Sequence, residues 1–321
     1  MKIMFMGTPE IAATVLQALY DRGFAVTAVV TREDKPRGRG NLLAPTPVKA
    51  LAVQHGSAVY TPKTLRDEAF AEILKAEDPD LILVVAFGKI LPKNVLDYPR
   101  LGCINLHVSL LPKYRGAAPM QRAIMEGERE TGVTAMYMDE GLDTGDIIET
   151  VVFPIGAEDD FEAIHDRSAA VGAKLICDLA ERLAKGESLP RTKQPEEGAC
   201  YAAKVEKEEG KIDFSLPAKK LDCLIRGTTP IPGAYAFLNG RMIKFRRAAP
   251  CEITERSFGD TPGACDPGRV LALDEKGDGA ILIRCGEGAL RLTSLIPEGK
   301  GKMSAGDFIR GRKIAIGDLF S

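Results

Sequence analysis

The sequence contains no tryptophan, only 6% aromatic residues and three histidines in 321 positions. Its seven cysteines are scattered, odd in number and without a CxxC pair, so we expect reduced, mostly buried thiols and no disulfide framework. No apolar run approaches the roughly 18 residues of a membrane span. The short apolar stretch at the N-terminus lacks the flanks of a signal peptide. These absences predict a cytoplasmic protein without a membrane segment.

Two further absences restrict the class of ligand. The dinucleotide-binding pattern GxGxxG does not follow the first predicted strand, Lys2–Met6, so no nicotinamide or nucleotide site is expected there. The formal net charge is −2, so no global charge marks a nucleic-acid-binding protein. Residues 221–321 nevertheless carry 15 Lys and Arg against 12 Asp and Glu. Any contact with a polyanion must therefore come from local patches.

The pattern of apolar residues divides the chain into two parts. Up to about residue 185, short apolar runs alternate with amphipathic stretches, which indicates a mostly parallel sheet with helices on both faces. Leu81–Ala86 is predicted to be a central strand, and a long polar loop is predicted after the strand Ala25–Thr31. Beyond Lys211, short strand-like runs between Gly and Pro turns indicate a small closed barrel. We therefore predict a first domain over 1–188, a linker over 189–207 and a barrel domain over 208–321.

The segment Cys103–Pro112 carries the first candidate site residues. Asn105 and His107 stand two positions apart on a predicted strand, so their side chains emerge on one face near its carboxyl end, where open α/β sheets place their sites. The alternative is that His107 is a satisfied strand-end histidine and Asn105 caps the turn. The following Ser109–Gly116 run, apolar at first and then opening into a helix, suits an enclosed site beside a flat ligand.

The loop Asp139–Asp146 adds carboxylates between two predicted strands. Its alternative interpretations are a solvated turn or a cation site, although its spacing is not that of a calcium loop. An Asn, a His and an Asp are sufficient for acyl transfer to an amine without a metal. Asn105 and protonated His107 can donate hydrogen bonds to a developing oxyanion, while Asp143 orients the imidazole and assists proton removal.

Together, these motifs resemble the signature of the 10-formyltetrahydrofolate-dependent formyltransferases, in order and in spacing. The resemblance implies a Rossmann-like N-terminal α/β domain, a C-terminal OB-like β-barrel, a folate co-substrate and no metal. It implies catalytic roles for Asn105, His107 and Asp143. A loop similar to the family segment whose backbone recognises the pterin follows the predicted central strand. The folate-binding positions implied are Phe87, Gly88, Lys89, Leu91, Ser109, Leu110, Leu111, Pro112 and Asp139.

Two features resemble the methionyl-tRNA branch of that family. Residues Lys35–Lys49 resemble the basic loop which that branch inserts after the second strand, and the barrel resembles its appended domain. The partners implied are methionyl-initiator tRNA and the folate, acting with a monomer. The alternatives are a sugar-nucleotide formyltransferase, a hydrolase releasing formate from the folate, and a non-catalytic tRNA-binding module; a solvated surface loop is the simpler interpretation of the basic segment. The tRNA-binding residues expected are Arg37, Arg39, Lys244, Arg246 and Arg247.

Overall fold

The computed structural model describes residues 1–37, 42–253 and 266–321. The chain forms two compact units. The first comprises Met1–Pro119, Glu130–Pro154 and His165–Ala202. The second comprises Met120–Arg129, Ile155–Ile164 and Ala203–Ser321. The domain limits at residues 188 and 207 stay a prediction.

Strands and helices alternate through the first two hundred residues. Numbered along the chain, the strands are β1 Lys2–Gly7, β2 Ala25–Val30, β3 Lys35–Arg37, β4 Leu42–Ala44, β5 Ala58–Tyr60, β6 Leu81–Val85, β7 Cys103–His107, β8 Arg115–Gly116, β9 Glu130–Tyr137, β10 Ile147–Pro154 and β11 Tyr201–Ala202. The helices are α1 Glu10–Asp21, α2 Pro47–Gln54, α3 Glu68–Glu77, α4 Lys93–Leu96, α5 Pro119–Met125 and α6 Phe161–Ala184.

Seven of these strands form the sheet of the first unit, in the order β10-β9-β7-β6-β1-β2-β5. The pairs from β5 across to β7 are parallel, whereas β9 is antiparallel to both β7 and β10. All five residues of β6 are buried because the strand lies in the middle of the sheet with other strands on both sides. The predicted mostly parallel sheet with a central strand at Leu81 is confirmed.

Helices cover both faces of this sheet. On one face, Met4 and Ile82 belong to a buried cluster with Phe70 of α3 and Val95 of α4. On the other face, α6 approaches β7 so closely that a methyl group at Gly172 would lie 2.5 Å from the Leu106 side chain. Because strand side chains alternate between faces, the neighbours of Leu106 in sequence point towards the α3 and α4 side.

The prediction of a long polar loop after β2 is wrong in part. Lys35–Arg37 and Leu42–Ala44 pair as an antiparallel hairpin, β3 with β4, because the short apolar run Leu42–Ala44 supplies a partner strand. The sequence pattern there is too short to show period-2 alternation, which is why the strands were missed. The Arg37 side chain and the whole of Arg39 lie outside the residues that the structure describes.

The second unit is the predicted barrel. Its five main strands are hydrogen-bonded in the order β12-β13-β16-β15-β14, with β17 beside β16. The C-terminal residues close the barrel, because Phe320 bridges Leu238 of β12 while Leu319 bridges Arg269 beside β14. The elements are α7 Ala218–Thr228, β12 Ala234–Leu238, β13 Arg241–Cys251, β14 Val270–Asp274, β15 Ala280–Arg284, β16 Ala289–Pro297, β17 Met303–Ser304 and α8 Ala305–Arg310.

The barrel interior is apolar and contains a group of aromatic rings. The ring centroids of Phe214, Phe245 and Phe320 lie 5.6 to 6.1 Å apart in tilted or edge-to-face arrangements, as aromatic pairs prefer. Phe320 therefore contributes both to barrel closure and to the core. Across the described ranges of both units, no helix is long and apolar enough to cross a membrane.

Candidate active site

Strand β7 presents the candidate residues at the carboxyl end of the sheet. Every second side chain of β7 lies on the face covered by α4, and these residues are Cys103, Asn105 and His107. On this face the Cys103 thiol lies 3.6 Å from the carbonyl oxygen of Val95 in α4. Asn105 is 8% exposed and His107 5% exposed. Burial at a strand end places two polar side chains in a low-dielectric environment, where hydrogen bonds and charges act more strongly than in water.

The imidazole of His107 is flanked by oxygen atoms on both sides. Nε2 lies 2.9 Å from the carbonyl oxygen of Tyr114, which only accepts, so Nε2 carries a proton and donates it to this hydrogen bond. Nδ1 lies 3.6 Å from Oδ2 of Asp143. The Tyr114 contact therefore fixes the tautomer, and Nδ1 is the atom at which His107 gains or loses a proton.

Asp143 is held in place by its backbone and by its carboxylate. Its φ of +54° lies in the left-handed region, which turns the loop so that the side chain points back towards β7. Oδ2 accepts a hydrogen bond of 2.9 Å from the backbone amide of Gly116 on β8. The same oxygen faces His107, so one carboxylate connects the strand end, the carboxylate loop and β8.

Asp139 stabilises the same loop rather than pointing away from it. Its carboxylate accepts hydrogen bonds from the Thr144 hydroxyl at 2.8 Å and from the Gly141 amide at 3.0 Å. A methyl group at Gly145 would lie only 1.8 Å from the Tyr137 carbonyl oxygen, so only glycine fits. Internal hydrogen bonds therefore fix the loop, although residues 139–142 are exposed to solvent. A folate contact for Asp139 stays a prediction.

The side chain of Asn105 has a different environment. Its backbone is paired between Val84 of β6 and Met136 of β9, so the residue lies within the sheet and does not cap a turn. Its carboxamide takes no part in the hydrogen bonds that hold His107 and Asp143. The NH₂ group of this side chain, at the carboxyl end of β7, is a donor of the kind that binds a substrate oxygen.

The turn after β7 is rigid and partly apolar. The Ser109 hydroxyl donates to the Lys113 carbonyl at 2.7 Å, while the Ser109 carbonyl accepts from the Thr134 hydroxyl at 2.7 Å. Leu110 packs over Gly132, where an added methyl group would lie 2.4 Å from it, and Leu111 is buried. Ser109 thus shapes the turn through internal bonds, and contacts of Ser109, Leu110, Leu111 and Pro112 with folate stay predictions.

The loop after β6 begins beside β7, because Val85 pairs with Leu106. Phe87 and Leu91 are 2% exposed and belong to the core, so they anchor the loop from below. The Lys89 ammonium donates to the carbonyl oxygens of Pro62 and Lys63 at 2.5 and 3.0 Å. These side chains therefore hold the loop in place, while Gly88 and Ile90 lie exposed on it.

Gly88 lies in the middle of that loop with φ at +70°, a conformation that favours glycine. Its carbonyl accepts a hydrogen bond of 2.6 Å from the Arg32 guanidinium, and a methyl group there would lie 2.3 Å from the same guanidinium. The backbone of the predicted pterin loop is thus fixed by Arg32, a residue that sequence reasoning missed.

The expected tRNA-binding residues of the barrel lie on β13 in the second unit. Lys244 and Arg246 alternate with the buried Ile243 and Phe245, so they face outwards. The register shifts between Phe245 and Arg247, and this bulge directs Arg247 outwards as well. Arg246 and Arg247 line a groove of about 1730 Å³ within this unit. Its other cationic lining residues are Arg129, Lys219, Lys220, Arg226, Arg291 and Lys302.

These cations do not form an unbalanced basic surface. Arg247 forms an ion pair with Glu158, and Arg246 donates to the Pro230 carbonyl at 3.2 Å. Burial raises the pKa of Asp222 in the groove wall even though the guanidinium of Arg226 lies 2.9 Å away and lowers it. A polyanion must therefore compete with the internal partners of these cations. We expect each cation to contribute only modestly to the free energy of binding.

Comparison with known proteins adds the family. Residues 1–179 match the formyl transferase family, and residues 204–313 match the formyl transferase C-terminal domain. A methionyl-tRNA formyltransferase of Citrifermentans bemidjiense is 46% identical over 99% of this chain and 96% of its own length. That of Aromatoleum aromaticum is 45% identical over 100% and 97%. The chain belongs to the methionyl-tRNA formyltransferase family.

A solved structure outside that family has the same fold. An N-formyltransferase of Helicobacter canadensis, crystallised with folinic acid and dTDP-3-aminofucose, matches with a TM-score of 0.65. It is 18% identical, and the match covers 91% of this chain and 98% of the other. At that identity the likeness concerns the fold alone. The family resemblance and the two-part fold expected from the sequence are both confirmed.

Sequence reasoning missed several residues that position the candidate trio. They include the Tyr114 carbonyl beside His107, the Gly116 amide beside Asp143 and the side chain of Gln194, which lies in the segment predicted to be a linker. Backbone groups carry no residue-type signal, and Gln194 stands in no recognisable motif. In the described ranges, no group of three His, Cys, Asp or Glu side chains is arranged to hold a metal ion.

Proposed function

We propose that this chain transfers the formyl group of 10-formyltetrahydrofolate to the amino group of methionyl-initiator tRNA, giving N-formylmethionyl-tRNA for translation initiation. The observation that carries the proposal is the placement of a buried carboxamide and a buried imidazole on one face at the end of β7, with a fixed carboxylate beside the imidazole. The names of the full-length relatives, at 45% and 46% identity, support the acceptor.

The carboxamide of Asn105 accounts for stabilisation of the reaction intermediate. The methionyl nitrogen attacks the formyl carbon, and negative charge develops on the formyl oxygen as the tetrahedral intermediate forms. The carboxamide NH₂ of Asn105 donates to that oxygen, and its fixed position in the sheet means that little reorganisation is needed. Protonated His107 adds positive charge and an Nδ1 donor beside the same oxygen.

His107 and Asp143 account for the proton. The attacking nitrogen must lose a proton and the folate N10 must gain one when the bond between N10 and the formyl carbon breaks. Because Tyr114 fixes the proton on Nε2, Nδ1 is the exchanging atom, and the carboxylate at 3.6 Å stabilises the imidazolium. We propose that Asp143 receives the amine proton directly or through water, and that N10 takes a proton from Nδ1 of the imidazolium as its bond to the formyl carbon breaks. Transfer of the proton from Asp143 to Nδ1 then restores both groups.

Two loops are the proposed binding site of the folate. We propose that the rigid turn Ser109–Pro112 packs against the folate and that the backbone of the Phe87–Leu91 loop hydrogen-bonds the pterin. The internal anchoring of both loops supports a site that is preformed before binding. Asp139 would act here through the loop that it stabilises.

For the acceptor, we propose that Arg37 and Arg39 of the basic segment Lys35–Lys49 contact the tRNA, with smaller contributions from Lys244, Arg246 and Arg247 on the barrel. We also propose that the protein acts in the cytoplasm as a monomer. The amino-sugar nucleotide remains the runner-up acceptor, because an enzyme of the same fold was crystallised with dTDP-3-aminofucose. The basic segment Lys35–Lys49 favours the tRNA over the amino-sugar nucleotide, since binding of an amino-sugar nucleotide does not require such a segment.

The test is turnover in variants of the trio. Asn105→Ala, His107→Ala and Asp143→Ala should each lower kcat by about 10²-fold or more, the usual scale for oxyanion donors and acid or base groups. Thermal unfolding of each variant shows whether the fold is retained. Near-normal turnover in all three folded variants would reject the assignment.

A further inference from the structure

The Gln194 side chain connects two parts of the candidate site, the carboxylate loop and β8. Its Nε2 donates to the backbone carbonyl oxygens of Asp143 at 2.9 Å and Gly145 at 2.8 Å. Its Oε1 accepts two hydrogen bonds from the Arg115 guanidinium, at 3.1 and 2.9 Å. One carboxamide therefore hydrogen-bonds to both segments, with its NH₂ group to the carboxylate loop and its oxygen to Arg115 of β8.

The segment that carries Gln194 is itself fixed against the first unit. Thr192 and Ile147 exchange two backbone hydrogen bonds of 2.8 and 3.0 Å. Further along, Tyr201 and Ala202 of β11 pair with β8 in parallel. These contacts hold Gln194 between two attachment points, so its side chain has a defined direction.

The contacts of Gln194 converge on the position of Asp143. Arg115 adjoins Gly116, whose amide donates to Oδ2 of Asp143. Gln194 thus holds the Asp143 backbone directly and, through Arg115, the strand that binds its carboxylate. Asp143 has a left-handed backbone, so its carbonyl direction depends on such a partner.

We infer that Gln194 is a positioning residue that sets the Asp143 carboxylate opposite Nδ1 of His107. The inference rests on the proposed function, because it assigns to Gln194 an effect on the same transfer step. Asp143 stands 3.6 Å from Nδ1, and a misplacement of about 1 Å at a catalytic group lowers turnover by roughly 10²-fold. Gln194 makes no contact with the reacting atoms and acts through Asp143.

Two variants separate the donor and acceptor ends of the side chain. Gln194→Met keeps the length without any hydrogen bond. Gln194→Glu keeps the acceptor for Arg115 but places a carboxylate against two carbonyl oxygens. In both we expect kcat to fall about 10-fold or more while the KM for the folate changes less than about 2-fold. Gln17→Met, at a partly exposed glutamine that donates a hydrogen bond to Asp21 on α1, is the matched control and should leave kcat unchanged.

A double-mutant cycle then tests whether the effect passes through Asp143. In an Asp143→Asn background, measured in single turnovers with excess enzyme, Gln194→Met should lower the rate by less than about 2-fold, because the group it positions is gone. A purely structural role would instead lower the melting temperature and give the same fold-loss in both backgrounds.

The outcomes distinguish the two claims. Additive losses with an impaired Asp143→Asn enzyme, or wild-type kcat in Gln194→Glu, would overturn the positioning role and leave the proposed function standing. Full activity of Asp143→Asn itself would overturn the proposed catalytic assignment. If Gln194→Met fails to fold, the same cycle with Gln194→Glu decides the matter.

Discussion

Replacing Gly116 by alanine tests how β8 holds the candidate carboxylate. Gly116 has φ at +119°, and its amide donates to Asp143. A methyl group there would lie 2.5 Å from the Tyr201 ring and 2.9 Å from the Ala202 carbonyl oxygen. Backbone strain costs about 1 to 3 kcal/mol and overpacking about as much again. We therefore expect Gly116→Ala to lower the unfolding free energy by about 2 to 6 kcal/mol.

Part of that strain will be relieved by moving β8, which withdraws the amide from Asp143. A hydrogen bond to a charged group is worth about 1.5 to 3 kcal/mol, so turnover should fall by about 10-fold or more. Gly198→Ala is the matched control, because Gly198 has φ at +78° but nothing within 4 Å of the added methyl group.

Urea unfolding and steady-state formyl transfer measure the two effects. The control should lose about 1 to 2 kcal/mol of stability through strain alone and keep its turnover. Tyr201→Ala in the Gly116→Ala background should recover part of the loss, since it removes the ring but leaves the carbonyl. Equal behaviour of the Gly116 and Gly198 variants in both assays would refute the reasoning.

Three further results are expected. The Lys2 amide, and then the Arg100 guanidinium, hold the pKa of Asp80 below its ordinary value. Asp80→Asn should therefore lower the unfolding free energy by about 1 kcal/mol at pH 7, and the difference should fade as the pH falls below the ordinary pKa of an aspartate, about 3.9. Burial raises the pKa of the Cys103 thiol to about 12. As the pH rises, the thiol of the unfolded chain therefore loses its proton before that of the folded chain, and the unfolding free energy falls. In Cys103→Ala this fall should be shallower above about pH 9, by about 1.4 kcal/mol per pH unit, as measured by urea unfolding across a pH series. The same pH dependence in Cys103→Ala and the unsubstituted protein would contradict this. Arg39→Ala should weaken productive tRNA binding, leave folate binding near normal and flatten the salt dependence of formylation by about one unit of slope, whereas an unchanged slope would show that Arg39 does not contact the tRNA.

The sheet was predictable because its signals are local. An unbroken apolar run such as Leu81–Val85 indicates a central strand whatever its partners are, and residues two apart on β7 share a face in any strand. The candidate residues Asn105 and His107 were therefore placed correctly on the sheet from sequence alone. Their catalytic roles stay proposals.

The features that sequence reasoning missed depend on contacts between distant residues. Barrel closure requires Phe320 to reach Leu238, and β8 pairs with β11 over only two residues, too few for any periodicity. Gln194 stands in a charged segment of low hydrophobic density, which is typical of a linker. Its importance becomes visible only when its bonds to the Asp143 loop are seen.

The central claim is the identity of the acceptor. The direct measurement offers methionyl-initiator tRNA, free methionine and an amino-sugar nucleotide together as competing acceptors for the formyl group of 10-formyltetrahydrofolate. We expect that the tRNA-bound methionine alone is formylated. Formylation of the amino-sugar nucleotide, or release of formate without any formylated acceptor, would contradict it.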